Sequence, residues 1–195
     1  MKDFPPELLS LREVSRFLEF VRREVVCGLS HKAMDLGSGQ GAFGLPFARE
    51  WPGTVIFVEP DVGRANVLCR QIAEEGLSAE VVAGTIEDIA TNDFGLITAF
   101  FSLHHVTDAV AEVRRCVDRL EPGGVMLICD LEREDGSFHR STVPHCGFNP
   151  SSLSRALKES GLIAEWQPFG VITKGERQYG LFVMAVSIWG CQGRT

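Results

Sequence analysis

Residues 34–44 read Met-Asp-Leu-Gly-Ser-Gly-Gln-Gly-Ala-Phe-Gly. This is the most informative stretch of the chain for its fold. It overlaps the end of a short strand pattern at residues 31–36 and leads into a helical pattern over residues 41–50. Glycine permits a tight turn and lets a ligand approach the backbone closely. The start of the helix adds unpaired N–H groups that suit an electron-rich ligand group. We therefore interpret the stretch as a ligand-binding turn between a strand and a helix.

An acidic residue follows this turn at a distance that is typical of nucleotide sites. Glu59 ends the next strand pattern, 20 residues after Gly39, and a carboxylate there can accept both hydroxyls of a ribose. Two glycine patterns overlap in the turn. Residues 39–44 satisfy GxGxxG, the dinucleotide fingerprint, while residues 37–41 satisfy GxGxG and are preceded by Asp35. On these residues alone, a nicotinamide dinucleotide and a different nucleoside ligand both remain open.

The rest of the chain alternates between strand and helix patterns. We predict helices at 62–75, 108–120 and 151–160, and strands at 54–58, 79–82, 94–103, 125–129, 163–169 and 180–188, the last two as an antiparallel pair. Strands that alternate with helices of this length indicate βαβ crossovers and a mostly parallel sheet. No repeat or linker interrupts the pattern, so we predict a single domain over residues 1–195, with residues 1–30 as an amphipathic N-terminal helical extension.

Composition limits the partners and the location of the protein. The chain has 19 Lys and Arg against 26 Asp and Glu, which gives a net charge of −7, and an acidic surface repels phosphate backbones. We therefore predict no nucleic-acid partner. No apolar stretch is long enough for a transmembrane helix and no secretory leader is recognisable, so we predict a cytoplasmic protein with no membrane contact. Four cysteines lie in apolar runs, and we interpret them as core residues: Cys27, Cys69, Cys116 and Cys129.

Five segments resemble, in order, the motifs of the class I S-adenosylmethionine-dependent methyltransferases. They are the glycine turn at 35–41, Val-Glu-Pro at 58–60, Ala-Gly-Thr-Ile-Glu-Asp-Ile at 83–89, a strand ending in Leu-His-His at 94–106, and Leu-Glu-Pro-Gly-Gly at 120–124. The resemblance implies S-adenosylmethionine as the cofactor. It also implies an α/β fold of the doubly wound, Rossmann-like kind, with a seven-stranded mixed sheet, helices on both faces and a C-terminal antiparallel strand pair.

The resemblance further implies ten cofactor-binding residues. Those expected at the methionine end are Asp35, Gly37, Ser38 and Gly39, with Ala99 and Phe100 placing a carbonyl near the methionine ammonium group. Glu59 is expected to take the ribose hydroxyls. Those expected to flank the adenine are Pro60, Thr85 and Ile86. Two positions depart from the family pattern, because many relatives carry an acid where this chain has Thr85 and an aspartate where it has Gly95.

Residues for catalysis are only weakly marked. Methyl transfer from a sulfonium mainly requires alignment and the exclusion of water, and it needs a base only if the nucleophile carries a proton of high pKa. Our candidates are His104, which follows the fourth strand, and His139 and His145 in a polar loop over 130–149. A capping role for His104 and solvent exposure for the other two are the plain alternatives. His139, His145 and Cys146 match no standard ligand motif, so we predict no metal site.

The most specific interpretation is an S-adenosylmethionine-dependent methyltransferase that acts on a small-molecule acceptor by in-line transfer. Residues 134–139 and 144–148 resemble segments of a little-characterised branch of small-molecule methyltransferases, which names no substrate. Two alternatives stay open. One is an NAD(P)-dependent oxidoreductase that uses the overlapping GxGxxG, and the other is a non-catalytic module that only binds S-adenosylmethionine.

Overall fold

A computed structural model describes residues 11–25, 29–139 and 141–188. Residues 1–10 and 26–28 of the predicted extension, Cys27 among them, are therefore outside the described residues. The helices are α1 Leu11–Glu24, α2 Gly44–Glu50, α3 Val62–Glu75, α4 Ala109–Val117 and α5 Pro150–Glu159, and two 3₁₀ turns span Ile86–Asp88 and Leu103–His105. The strands are β1 Ala33–Leu36, β2 Val55–Val58, β3 Ala79–Val82, β4 Phe94–Phe100, β5 Leu120–Leu131, β6 Leu162–Lys174 and β7 Arg177–Ile188.

The strands form one seven-stranded sheet in the order β3-β2-β1-β4-β5-β7-β6. The first five strands of this order pair in parallel, while β7 pairs antiparallel with both β5 and β6. The chain crosses from one side of β1 to the other when it passes from β3 to β4. Ligands of open α/β sheets bind at such a switch point, beyond the carboxyl ends of the strands. The predicted mixed sheet with its C-terminal antiparallel pair is confirmed.

Helices cover both faces of the sheet, as predicted. Successive strand side chains point to opposite faces, and Val55 and Phe57 pack in one core cluster while Ile56 and Val58 pack in the other. The first cluster includes buried residues of α1, α2 and α3. The second includes those of α4 and α5. Every residue of β1, β2 and β4 is therefore buried, which explains why these strands read as nearly continuous apolar runs.

The described part of the predicted extension is α1, which packs against the first core cluster. Phe17 is fully buried there. Its ring centroid lies 5.0 Å from that of Phe43 and 5.1 Å from that of Phe100, at the end of β4. Phe43 and Phe100 both line the cavity described below. The helix therefore supports one wall of that cavity through a single ring.

Several predicted boundaries are wrong at the far end of the sheet. The strand was predicted only over residues 125–129, but β5 begins at Leu120 and pairs there with Phe94. A Cβ atom at Gly124 would lie 2.7 Å from the Phe94 carbonyl oxygen, so this close pairing tolerates only glycine. The predicted polar loop also begins too early, because Asp130 is fully buried inside β5.

The cysteine and membrane expectations have mixed outcomes. Cys116 and Cys129 are buried free thiols, whereas Cys69 is exposed on α3, so its assignment to the core is wrong. The buried residues of that helix are Ala65, Leu68 and Ile72, and Cys69 lies outside this buried stripe. Among the described residues, no helix has the length and apolar character needed to cross a membrane.

Replacing Phe17 with alanine removes the ring that joins α1 to both cavity-wall phenylalanines. We expect Phe17→Ala to lower the free energy of unfolding by about 3–5 kcal/mol, because a fully buried aromatic side chain leaves a cavity behind. Urea denaturation followed by circular dichroism measures this. Val62→Ala, at a side chain that is 61% exposed, is the control and should change stability by less than about 0.5 kcal/mol. Equal effects of the two substitutions would show that α1 does not pack as described.

Candidate functional site

The glycine bend, residues 37–41, turns directly beyond β1. Gly37, Gly39 and Gly41 have φ angles of +70°, +59° and +85°, a region that side chains disfavour. The N–H groups of Gly37 and Ser38 donate to the Val58 carbonyl oxygen, at 2.8 and 3.1 Å. The three alternate glycines thus let the chain reverse while it stays bonded to the end of β2.

Two of these glycines are needed for different reasons. A Cβ atom at Gly37 would lie 2.4 Å from the Cβ atom of Ser102, so this position is closed by packing. A Cβ atom at Gly39 would meet no atom within 4 Å. The backbone at Gly39 therefore faces open space, where a ligand can approach it.

Glu59 faces the bend from the end of β2. Its carboxylate accepts hydrogen bonds from the Gly39 N–H at 2.8 Å and from the Asp61 N–H at 2.9 Å, one on each oxygen. Glu59 is buried, yet it lines the cavity. A carboxylate offers about four acceptor positions, so two remain for a ligand with paired hydroxyl groups.

A cavity of about 750 Å³ lies at the switch point between β1 and β4. Nine of the ten residues predicted to bind the cofactor line it: Asp35, Gly37, Ser38, Gly39, Glu59, Pro60, Thr85, Ile86 and Phe100. Ala99 is not among the lining residues, and its expected contact, which is made through a backbone carbonyl, stays a prediction. Side chains alternate along β4, so Ala99 packs in the second core cluster while Phe100 faces the first cluster and the cavity.

The far end of the cavity carries a capped turn. The Thr85 N–H donates to the Asp88 carboxylate at 2.8 Å, and the Thr85 hydroxyl oxygen accepts from the Glu87 N–H at 3.3 Å. Thr85 is therefore occupied as the cap of the Ile86–Asp88 turn. Glu87 also lines the cavity, so an acid is present here two residues after the position at which many relatives carry one.

Asp35 is buried beneath the glycine bend. Burial raises the pKa of its carboxyl group from 3.8 to about 7, and hydrogen bonds from Thr98 and Ser38 partly oppose that rise. The Thr98 hydroxyl donates to the carboxyl oxygen at 2.8 Å. A carboxyl group that titrates near neutrality at the floor of a cavity is typical of functional sites.

His104, one of the three catalytic candidates, is fully buried and does not line the cavity. Its Nδ1 atom lies 2.6 Å from the Asp130 carboxylate, and its backbone N–H donates to the same carboxylate at 3.1 Å. Since a carboxylate accepts, we assign the Nδ1 proton to His104. Its Nε2 atom is buried and has no hydrogen-bond partner among the described residues.

The histidine that faces the cavity is His105. Burial, together with the neighbouring His104 and His139, lowers the pKa of its imidazole from 6.5 to about 4. The ring is therefore neutral at physiological pH. The sequence analysis did not single out His105 and named its buried neighbour His104 as a candidate instead.

The two loop histidines differ in position. His139 is buried, with its ring centroid 4.6 Å from that of His104 and 5.4 Å from that of His105. His145 instead turns towards the Thr107 carbonyl oxygen, 3.2 Å from its Nε2 atom, and its ring contacts Phe148. The structure thus brings His139 to the site and places His145 beside it.

The sequence analysis did not single out three further lining residues, which are Arg64, Ser102 and Glu112. Phe101 has a φ angle of +53°, which is uncommon outside glycine and clusters at functional sites. Ser102 donates its hydroxyl to the Leu36 carbonyl oxygen at 2.7 Å and so holds β4 against β1. Phe101 is marked by its backbone angle and Ser102 by a contact across strands, and neither feature is visible in the sequence.

Comparison with known proteins gives consistent matches. Residues 33–124 match a family described as a methyltransferase domain. A ribosomal RNA small subunit methyltransferase G from Mycolicibacterium vanbaalenii is 30% identical over 164 residues, which cover 76% of this chain and 69% of that protein. A ubiquinone biosynthesis O-methyltransferase from Bradyrhizobium sp. is 30% identical over 143 residues, which cover 71% of this chain and 55% of that protein.

The chain belongs to the class I S-adenosylmethionine-dependent methyltransferases. It spans about half the length of the ubiquinone biosynthesis relatives that it matches. The cofactor of this family is S-adenosylmethionine, and membership does not favour the NAD(P)-dependent oxidoreductase alternative.

Solved structures show how widely this methyltransferase fold is shared. A S-adenosylmethionine-dependent methyltransferase from Aquifex aeolicus superposes with a TM-score of 0.68 at 17% identity, over 95% of this chain and all of that one. The cyclase SpnF superposes with a TM-score of 0.73 at 16% identity, over 90% of this chain and 81% of that one. Likeness at this identity shows the fold alone, so the chemistry has to be argued from the site.

A matched pair of glycine substitutions tests the role of the bend in this methyltransferase. Gly39 and Gly76 have similar φ angles, +59° and +64°, and neither has a neighbour within 4 Å of an added Cβ atom. Gly39→Ala and Gly76→Ala should therefore cost similar stability, about 1–2 kcal/mol each. Only Gly39→Ala should weaken S-adenosylhomocysteine binding, by about tenfold or more, because its methyl group enters the cavity. Calorimetric titration measures this, and equal affinities in the two variants would contradict the role of the bend.

The buried carboxyl of Asp35 should make stability depend on pH. Between about pH 4 and pH 7 the folded protein keeps a proton that the unfolded chain has lost, so its contribution to stability falls as the pH rises. Asp35→Asn removes this titration. We expect the free energy of unfolding of the variant, relative to that of the wild type, to rise by up to about 4 kcal/mol between pH 4 and pH 7. Denaturant unfolding without cofactor measures this. A stability difference that stays constant across this range would contradict the raised pKa.

Proposed function

We propose that this protein transfers a methyl group from S-adenosylmethionine to a small-molecule acceptor bound at the mouth of the cavity. One observation carries the proposal. The glycine bend and the Glu59 carboxylate meet through the 2.8 Å bond from the Gly39 N–H, and both face the same cavity at the switch point of the sheet.

The residues around the cavity fit the cofactor of the family. The open direction at Gly39 leaves room for a ligand against the backbone. The unused acceptor positions of Glu59 suit the two hydroxyls of a ribose. The cavity volume of about 750 Å³ lies within the usual range for sites that bury a ligand of this size. The acids Glu59, Glu87 and Glu112 also favour a cofactor that carries positive charge.

We assign roles to the chain's own residues from these contacts. When bound, S-adenosylmethionine supplies an electrophilic methyl group on a sulfonium whose departure as a neutral thioether needs no acid. The glycine bend and Glu59 fix the position of that group, and Phe100 and Phe101 form an apolar wall that excludes water. His105, neutral and exposed to the cavity, orients the acceptor at its mouth.

A small molecule is the acceptor that we favour over a nucleic acid. The net charge of −7 opposes binding to a phosphate backbone, and three acids, Glu59, Glu87 and Glu112, line the cavity. Relatives named for ubiquinone biosynthesis support this choice, while the relative named for ribosomal RNA supports the opposite one. Methylation assays with total RNA and with a panel of hydroxylated and amino metabolites separate the two.

We also propose that residues 1–195 form a single methyltransferase domain, with residues 1–30 as its helical extension, and that the protein acts in the cytoplasm. The continuous sheet and the packing of α1 on the first core cluster support the single domain. The free thiols of Cys116 and Cys129 in the core support a reducing compartment.

Substituting Glu59 tests the proposed cofactor site. Glu59→Gln keeps an oxygen that can accept from Gly39 but removes the charge, so we expect S-adenosylhomocysteine affinity to fall about 10- to 100-fold. Glu80→Gln, at an exposed acid on β3, should leave the affinity unchanged. Isothermal titration calorimetry on folded protein measures both. No heat from the wild type at millimolar ligand would refute the proposal, and binding without methyl release on any acceptor would favour the non-catalytic module.

A further inference from the structure

Three imidazole rings meet at the edge of the cavity. One ring nitrogen of each of His104, His105 and His139 lies within 4.8 Å of the others, and this is the group of potential ligands that the described residues bring together. His104 and His105 belong to the turn after β4, while His139 comes from the loop after β5. We propose that these three side chains bind a divalent transition-metal ion such as Zn²⁺.

The strongest support comes from the orientation of His104. Its Nδ1 atom is held by the buried Asp130 carboxylate at 2.6 Å, and its Nε2 atom is buried without a hydrogen-bond partner. A metal-binding histidine typically donates its second ring N–H to a carboxylate, which fixes the tautomer and directs the other nitrogen at the ion. Asp130 and His104 show this arrangement, so the lone pair on the buried Nε2 atom is available to bind an ion.

The spacing of the nitrogens also fits an ion. Two imidazole nitrogens bound to one tetrahedral Zn²⁺ are about 3.4 Å apart, given Zn–N bonds of about 2.0–2.1 Å. Small side-chain rotations bring nitrogens that lie within 4.8 Å to this separation. Nitrogen ligands favour Zn²⁺, Cu²⁺, Ni²⁺, Co²⁺ or Fe²⁺ over Mg²⁺ and Ca²⁺, which prefer oxygen.

The charges around the three histidines are mixed. Asp130 places a negative charge directly behind His104, whereas Arg64 lines the cavity on the side of His105.

His145 and Cys146 do not belong to the cluster, so the set of ligands differs from the combination of His139, His145 and Cys146 that the sequence suggested and rejected. Three protein ligands leave at least one coordination position for another molecule.

The open position gives the ion a role in the proposed methyl transfer, and this part rests on the proposed function. His105 lines the cavity, so the ion lies at the mouth where the acceptor enters. A hydroxyl or thiol acceptor bound to the ion loses its proton to solvent more readily. Its lone pair then forms the bond to the methyl carbon while the carbon–sulfur bond breaks, and the electron pair stays on the sulfur of S-adenosylhomocysteine.

Metal binding is measured on the full chain after chelation and without cofactor. We expect calorimetric titration with Zn²⁺ to give about one ion per chain, and Co²⁺ to give the visible absorption of a tetrahedral nitrogen site. His105→Ala and His139→Ala should each weaken Zn²⁺ binding by about 100-fold or more, and Asp130→Asn by about 10- to 100-fold. Thermal melting confirms that each variant is folded, and the exposed His105 provides the variant least able to disturb the core.

Two controls make this test specific. Two substitutions should leave Zn²⁺ affinity unchanged. They are His31→Gln, at an exposed histidine distant in sequence from the cluster, and His145→Gln, at a neighbouring histidine outside the cluster. The proposal is overturned if the wild type binds no Zn²⁺, or if His145→Gln abolishes binding while His105→Ala does not.

The two proposals can fail separately. S-adenosylhomocysteine binding by the chelated protein together with no Zn²⁺ binding would overturn the metal site and leave the methyltransferase function intact. Zn²⁺ binding without S-adenosylhomocysteine binding would do the reverse. If both bind, removing the ion should lower the methyl-transfer rate and leave the affinity for S-adenosylhomocysteine unchanged, and a rate that survives chelation would overturn the role of the ion.

Discussion

The hydrogen bond from the Gly39 N–H to the Glu59 carboxylate ties together the two chain segments that form the site. It links the bend after β1 to the end of β2, beside the point where the chain crosses to β4. The same carboxylate accepts from the Asp61 N–H, where α3 is about to begin. One buried side chain therefore fixes the bend, the start of a helix and the acceptor atoms that a nucleoside needs.

Much of the fold could be predicted because its signals are local. The bounds of α3 and β3 were predicted correctly, since Asp61 caps the helix through the Arg64 N–H and Gly76 ends it in the left-handed conformation. The far edge of the sheet was predicted less well. Polar residues extend β6 and β7 because each is paired along its full length with the other. Such pairing depends on contacts between distant residues, and no periodic pattern marks it.

In the candidate site, too, the residues with local sequence signals could be predicted, and those brought together by distant contacts could not. The glycine bend and Glu59 carry fixed spacings, so the sequence was enough to place them at one cavity. The partners His104 and Asp130 are 26 residues apart, and only the pairing of β4 with β5 brings them together. The strand β4 shows a different limit. Alternation along a strand indicates that the side chain of only one of two successive residues faces the cavity, but not which one.

The buried Asp130 carboxylate poses an electrostatic problem that the protein has to solve. It is fully shielded from water, and its oxygens accept from the backbone N–H groups of His104 and Leu131 and from the His104 ring. These donors satisfy its lone pairs, and a buried charge also needs an opposite charge nearby to offset the cost of removing it from water. A cation on the far side of the His104 ring, at Nε2, would complete the compensation through the ring itself. If the three histidines hold a metal ion, the charge of the ion offsets the free-energy cost of burying Asp130. The negative charge of Asp130 would in turn strengthen the binding of His104 to that ion.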